Sequence, residues 1–136
     1  MDYAFGLLRL ATSSSEDFVV LNADDAVPAT GSSLAILGSG FGSQLQEAQV
    51  LSISDQDCES SKNPAGFPVS VGESQFCAGD SQRGFCVDDW GGPLIIKGSN
   101  DTATPESDIQ VGVAAWYDVC AQDFMHFKTN FHSHLR

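Results

Sequence analysis

Short apolar segments alternate with polar, turn-rich stretches along the whole chain. The apolar segments are rich in β-branched and aromatic residues and have the length of strands, which is the pattern of a half-buried sheet. The stretches between them are rich in Gly, Pro, Asn, Asp and Ser, which favour turns. This pattern predicts an all-β fold, an antiparallel barrel or sandwich. The predicted strands are Ala4–Leu10, Ser33–Leu37, Gln46–Ile53, Pro93–Ile96, Ile109–Trp116 and His126–Phe131.

One stretch, Ser54–Lys62, is predicted to be helical instead. Ser54 can act as its N-cap, and Asp57, three residues on, completes a capping-box pattern. Acidic residues in the first turn also favour a helix, because they face the positive end of its dipole.

Length and charge exclude several classes of function. A chain of 136 residues is long enough for one domain with a sizeable core. Its 18 acidic and six basic residues give a net charge of −12, which argues against nucleic acid or an anionic membrane as the partner. No apolar run is long enough to span a bilayer.

The four cysteines favour disulfides over a metal site, because they include no CxxC pair and no histidine at zinc-finger spacing. Disulfides imply an oxidising compartment. The first residues nevertheless lack a secretory pattern, since they open with an acid and Arg9 breaks the apolar run. A truncated chain would explain both observations.

The order of the motifs is more specific. They follow one another as FGLLRL, SGFG, a helix with Cys58, FCAG, CVDDWGGPLI, VGVAAWYDVCAQ and FKTNF. This order resembles the trypsin-like (chymotrypsin-fold) serine proteases over nearly the whole chain. The resemblance implies a trypsin-like antiparallel β-barrel, mainly the second barrel of that fold, truncated at both ends. It implies one partial domain, in which residues 1–32 end the first barrel and form the linker, and residues 33–136 form the second barrel.

The resemblance implies that the catalytic machinery is degenerate. Trp90 stands where the family keeps its nucleophilic serine, and an indole has no hydroxyl to activate. Ala4 stands in place of the aspartate that orients the histidine, and the histidine itself should lie before Met1. Asp88 replaces the oxyanion-hole glycine and places a carboxylate beside the amide that would bind negative charge. We therefore expect a protease homologue without catalytic activity.

The substrate pocket has changed as well. Gly84 matches the pocket base, while Tyr117 and His126 occupy wall positions that are often glycine and would fill the slot. Asp89 matches the aspartate that pairs with a freed N-terminal amine in active members, and here we expect it to face solvent or a local turn. Aromatic residues cluster around the old active site, as pocket filling or as the centre of a binding surface: Phe85, Trp90, Trp116, Tyr117 and Phe124.

The scaffold, in contrast, is kept. The resemblance implies the disulfides Cys58–Cys77 and Cys86–Cys120, one of three possible connectivities. Ile36 and Ile96 occupy both ends of a third family bridge, and we expect them to form an apolar contact in its place.

The remaining candidate sites have weaker support in the sequence. His126, His132 and His134 have the count of metal ligands, but an exposed C-terminus is the better reading, and we expect no metal and no cofactor. The adjacent acids Asp24 and Asp25 point apart and do not suit glycosidase chemistry. Asn100 opens a glycosylation sequon in a polar loop.

A retained but inactive protease fold suggests a binding protein. The YAFGLL strand, the acidic LNADDAVPATG linker and the LQEAQVLSIS strand resemble the glucanase inhibitor proteins of oomycetes, which are secreted homologues with broken triads. This resemblance implies a secreted inhibitor of host plant endo-β-1,3-glucanases, an effector that suppresses defence, with no nucleic-acid or membrane partner. Two alternatives stay open: a residual serine-type endopeptidase and a truncated fragment without function.

Overall fold

The structure is a computed structural model that describes residues 6–39, 42, 44–60, 70–79, 89–98, 107–116 and 125–128. It is almost entirely β, with one short helix in the described part, which confirms the predicted fold class. The elements in chain order are β1 (Val20–Leu21), β2 (Ser33–Gly38), β3 (Gln46–Ile53), α1 (Asp55–Ser60), β4 (Gln75–Gly79), β5 (Pro93–Ile96), β6 (Ile109–Trp116) and β7 (Met125–Lys128).

The strands form one curled sheet in the order β1-β6-β5-β2-β3-β4-β7. The strand β7 pairs with β4 and also with β6, so the sheet closes on itself through β6. All neighbouring pairs are antiparallel except β1 and β6, which run parallel.

Most of the predicted elements are confirmed. The strands β3, β5 and β6 have the predicted bounds, and β2 extends one residue further, to Gly38. The helix begins at Asp55 and is described as far as Ser60. Its cap forms as predicted, because the Asp57 backbone N–H donates to Ser54 Oγ at 3.1 Å and the Ser54 hydroxyl donates to the Asp57 carboxylate at 2.6 Å.

The structure differs from the predicted elements at three places. The prediction of a strand over Ala4–Leu10 is wrong for residues 6–10, which pair with none of the strands that the structure describes. The strands β1 and β4 were not predicted, since β1 is only two residues long and β4 lacks regular alternation. The last predicted strand, His126–Phe131, begins one residue earlier, and its residues 129–131 lie outside the described part.

The core lies inside the curled sheet. Its buried members come from β2 to β6 and are Leu34, Ile36, Val50, Ala78, Leu94, Val111 and Ala114. Ile96 packs against this cluster, and Ile36 lies opposite Leu94 across β2 and β5. The two isoleucines predicted to replace a bridge therefore belong to the same apolar cluster, although Ile36 is paired with Leu94 and not with Ile96 directly.

A disulfide forms a second, smaller cluster. Cys58 on α1 and Cys77 on β4 are bonded, with their Cα atoms 6.2 Å apart, and both side chains are fully buried. Ile53 and Val71 pack against them. The first predicted disulfide is thus confirmed, and it ties the helix to the sheet. Cys86 and Cys120 lie outside the described residues, so their pairing stays a prediction.

The segment before β2 is bound to β3 through Ser52, whose side chain is buried. The Ser52 hydroxyl donates to the Ala29 carbonyl and accepts the Ser32 backbone N–H at 2.9 Å, while the Ser52 carbonyl accepts the Gly31 N–H at 2.9 Å. Because these bonds satisfy a buried polar side chain and the backbone around it, they fix the chain entering β2.

On the surface, Lys97 forms ion pairs with two acidic side chains. Its ammonium lies 3.4 Å from the Asp108 carboxylate and 3.5 Å from that of Glu47. These carboxylates, Asp108 first, raise the pKa of Lys97 above its ordinary value. Because the side chains of Lys97 and Glu47 are each 43% exposed, solvent screens the interaction and its effect on stability is small.

The described disulfide leads to a prediction about stability. Replacing both Cys58 and Cys77 by Ala removes a bond across a sequence separation of 19 residues. We expect the free energy of unfolding to fall by about 3 kcal/mol, because the unfolded chain regains the entropy of an open loop. Urea unfolding of the variant and of the unmodified protein measures the difference.

Peptide mapping without reductant supplies the control. It should recover a peptide pair that joins Cys58 to Cys77 and, as the second prediction from the resemblance, a pair that joins Cys86 to Cys120. Equal stability of the double variant would contradict the structural role of the first bond.

Candidate functional site

Trp90 stands on a tight turn that leads into β5. The Gly92 backbone N–H donates to the Asp89 carbonyl at 2.9 Å, which closes a four-residue turn with Trp90 and Gly91 at its centre. Gly91 has a φ of 79°, the value that the third position of a type II turn requires. This explains a glycine directly after the tryptophan, since a side chain would be strained in that conformation.

Further hydrogen bonds hold this turn against β6. The Gly91 N–H donates to the Ala114 carbonyl, and the Ala114 N–H donates to the Gly92 carbonyl, both at 2.9 Å. Ala114 belongs to the buried core. The turn is therefore attached to β6, a strand that pairs with β5 and with β7, so its backbone is held in place.

The first residue of the turn, Asp89, is fixed by the burial of its side chain. Its side chain is buried, with a relative exposure of 9%, and lies beside Gly38 at the end of β2. A Cβ atom on residue 38 would lie 2.5 Å from the carboxylate carbon, closer than such contacts occur in proteins. We expected Asp89 to face solvent or a local turn. Its backbone does form the local turn. Its carboxylate does not face solvent, because the absent side chain of Gly38 leaves room for it in the interior.

Trp90 itself points outward. Its side chain is 53% exposed, whereas Asp89 before it is buried. A half-exposed indole on a hydrogen-bonded turn is an uncommon feature, because an exposed Trp leaves a large apolar area in water. Chemically, the indole can offer an apolar face and one N–H donor, but it offers no nucleophile.

The structure brings two further candidate positions close to this turn at the level of the backbone. Trp116 ends β6, two residues after Ala114, and pairs with His126 on β7 across a β-bulge. Cys77 on β4 pairs with His126 from the other side. The backbone positions of Trp90, Trp116 and His126 therefore lie near one another at the end of β6. The other candidates, together with their acidic neighbours, lie outside the described residues: Ala4, Gly84, Asp88, Asn100, Tyr117, Asp118 and Asp123.

Sequence reasoning missed the role of Gly38. The available signal was a glycine at the end of a predicted strand, which often marks a place where another group approaches the backbone closely. The approaching group could not be named from the sequence, because Asp89 is about fifty residues away in the chain.

Metal sites and membrane-spanning helices are absent from the described part of the chain. Within it, no three His, Cys, Asp or Glu side chains lie together as a metal site would need. Among the described helices, none has the length and apolar character needed to cross a bilayer. His132 and His134 lie outside the described residues.

Comparisons with known proteins agree on one family. The family model named Trypsin matches residues 1–135. Trypsin alpha of Drosophila melanogaster is 30% identical over 128 residues, which cover 88% of this chain and 45% of that protein. Trypsin iota of the same species is 28% identical over 131 residues, which cover 90% of this chain and 48% of that protein. The chain thus spans about half the length of the curated relatives it matches.

A solved structure matches the fold. The crystal structure of a scabies mite inactivated protease paralogue superimposes with a TM-score of 0.59 at 23% sequence identity. The match covers 82% of this chain and 46% of that one. At this identity the comparison establishes the fold alone.

The contact between Gly38 and Asp89 leads to a prediction about the turn. A Gly38→Ala substitution places a Cβ against the Asp89 carboxylate, so the turn must shift. We expect a loss of roughly 1–3 kcal/mol in the free energy of unfolding, as for other overpacked sites. We also expect a change in tryptophan fluorescence, because Trp90 follows Asp89 directly. Urea unfolding followed by fluorescence measures both.

Gly6→Ala is the matched control. A Cβ on residue 6 meets no atom within 4 Å, so stability and fluorescence should stay unchanged. If the two variants behave alike, the carboxylate of Asp89 does not depend on the space at Gly38.

Proposed function

The chain belongs to the trypsin family, and we propose that it is a secreted, non-catalytic member of this family that acts by binding another protein. The observation that carries the proposal is the half-exposed indole of Trp90 on the turn before β5. By the motif resemblance, this is the position at which the family keeps its nucleophilic serine.

The first part of the proposal is the absence of catalysis. An acyl-transfer mechanism needs a hydroxyl that a base can activate, and Trp90 supplies none. Asp88, next to the turn, replaces the oxyanion-hole glycine with a negative charge, which opposes an oxyanion. Ala4, at the place of the orienting aspartate, has no group that could hold a histidine.

The second part is binding through the same turn. Trp is enriched among the residues that contribute most to protein interfaces, because it buries a large apolar surface. The turn around Trp90 is held by hydrogen bonds to Ala114, so little backbone entropy remains to be lost on binding. A rigid, exposed Trp therefore suits a binding surface better than the filling of a pocket.

The third part is the nature of the partner. The motif resemblance points to a secreted plant endo-β-1,3-glucanase, which the protein would inhibit. The net charge of −12 supports a partner with a basic face, since opposite charge speeds encounter. Asp88, Asp118 and Asp123 are the proposed acidic rim around Trp90. Asp89, next to Asp88 in the sequence, does not belong to this rim, because its side chain is buried and fixes the turn instead.

Secretion is supported by the disulfide between Cys58 and Cys77. Buried disulfides persist in oxidising compartments and are rare in the cytosol. Asn100 would be a glycosylation site if the protein passes through the secretory pathway.

The absence of catalysis can be tested directly. We expect the purified protein to cleave no peptide substrate, whichever residue precedes the bond, and Trp90→Ser alone to restore nothing. The reason is that a serine without a base, an orienting acid and an oxyanion hole stays a weak nucleophile. Fluorogenic peptide libraries measure turnover, and turnover that a serine-directed covalent inhibitor abolishes would contradict the proposal.

Binding is tested with a panel of secreted plant endo-β-1,3-glucanases. We expect Trp90→Ala to weaken binding by about 2 kcal/mol, roughly a thirtyfold rise in Kd. The matched control is Leu51→Ala, because Leu51 on β3 is exposed to the same extent, 52% against 53% for Trp90. Calorimetric titration of both variants, after circular dichroism confirms their fold, separates a specific site from loss of any exposed apolar group.

Charge reversal tests how the proposed acidic rim contributes to association. Asp118→Lys together with Asp123→Lys should mainly slow association and flatten its dependence on salt, as surface plasmon resonance measures it. If no glucanase binds, the inhibitor assignment fails. If binding survives all these changes, the interface lies elsewhere on the chain.

A further inference from the structure

The hairpin that joins β2 to β3 lies at the same end of the sheet as the turn around Trp90. Strand β2 ends at Gly38, whose Cα partner is Gln46 at the start of β3. Strand β5 runs antiparallel to β2, with Ile36 opposite Leu94, so β5 begins beside the end of β2. The turn around Trp90 comes directly before β5, and it therefore lies next to the hairpin.

A direct contact joins the two elements. The carboxylate of Asp89, the first residue of the turn, occupies the space that a side chain at Gly38 would need. Through this contact and the pairing of β2 with β3, the Cα atoms of Leu45 and Trp90 lie at most about 20 Å apart. A standard interface covers about 800 Å² of each partner, a patch roughly 30 Å across. One partner surface can therefore cover both residues.

Leu45 supplies a second exposed apolar side chain at this end of the sheet. Side chains alternate along a strand, and on β3 those of Val50 and Ser52 are buried. Leu45, one residue before β3, belongs to the opposite set and is 75% exposed. In the described part of residues 33–136, three large apolar side chains are exposed, and Leu45 and Trp90 are two of them.

Both elements are uncharged in an otherwise acidic chain. Residues 38–46 and residues 90–96 contain no acidic or basic residue, although the chain has 18 acidic and six basic ones. The charged residues that follow these segments, Glu47 and Lys97, form an ion pair at 3.5 Å. Charged residues are depleted at the core of interfaces and are common at the rim. The hairpin and the turn therefore have the composition of an interface core.

We propose that Leu45 is a second anchor of the binding surface around Trp90, and that one partner protein covers both side chains with an apolar face. This inference rests on the proposed function and adds a residue to the same site. The partner face carries basic residues at its edge, which complement the proposed acidic rim. The contact between Asp89 and Gly38 fixes the hairpin relative to the turn, so the two anchors are set before the partner binds.

The first experiment measures binding of the plant endo-β-1,3-glucanase that the unmodified protein binds in the calorimetric panel. We expect Leu45→Ala to raise Kd about tenfold, because it removes an apolar side chain that the partner buries. Leu51→Ala is the matched control and should leave Kd unchanged. Leu51 is also exposed, but it lies five residues beyond Gln46, about 17 Å farther along β3.

The outcomes separate this inference from the proposed function. If Leu45→Ala binds as tightly as the unmodified protein while Trp90→Ala binds weakly, the second anchor is wrong and the proposed function stands without it. If Leu45→Ala and Leu51→Ala weaken binding equally, the loss is that of any exposed leucine, and the second anchor is wrong as well. If no glucanase binds, the proposed function fails and the second anchor fails with it.

The second experiment locates the covered surface without any substitution. In hydrogen exchange, the backbone amides of residues 44–46 and 90–92 should exchange more slowly in the complex than in the free protein, because the partner restricts their opening and their contact with water. The amides of α1 are the control and should exchange at the same rate in both. Slower exchange at residues 90–92 but not at 44–46 would overturn the proposal, even if Leu45→Ala weakens binding.

Discussion

Strand β6 makes hydrogen bonds along both of its edges, and the rest of the structure depends on them. One edge pairs with β5, while the other pairs with β7 near its end and with β1 near its beginning. The same strand binds the turn of Trp90 through Ala114. The strand β6 therefore closes the sheet, holds the turn and binds β1, and its buried residues Val111 and Ala114 anchor it in the core.

The conformation of the turn around Trp90 does not depend on the side chain at its exposed corner. Its geometry needs Gly91 with a positive φ, the hydrogen bonds to Ala114 and the space that Gly38 leaves for Asp89. None of these features requires a serine at the exposed corner. A backbone shaped in this way holds whatever side chain occupies residue 90, and under the proposed function an indole there replaces a reactive group by an apolar one. The proposed change from catalysis to binding needs no change in the fold.

Two opposing surface properties distinguish this chain. Its large negative charge favours a monomer and opposes contact with acidic partners. Its exposed apolar side chains, such as Trp90 on the turn before β5, favour association. Charge acts over a distance of about a nanometre at moderate salt, whereas apolar contact acts at the surface itself. In the proposed function, charge would therefore select the partner and apolar contact would hold it.

The sequence by itself determined the features that depend on neighbours along the chain. The strands β3, β5 and β6 followed from their local apolar pattern, and the cap of α1 followed from Ser54 and Asp57. The family followed from the order of the motifs along the chain, which can be read without a structure. The pairing of Cys58 with Cys77 came from that resemblance and not from the residues alone, which allow other connectivities.

Only the tertiary structure decided the features that need a distant partner. Asp89 is buried because Gly38, far away in the chain, has no side chain. The two residues of β1 form a strand because the edge of β6 is there to bind them. A strand is completed by hydrogen bonds to another strand, so local pattern can mark its residues but not its partner.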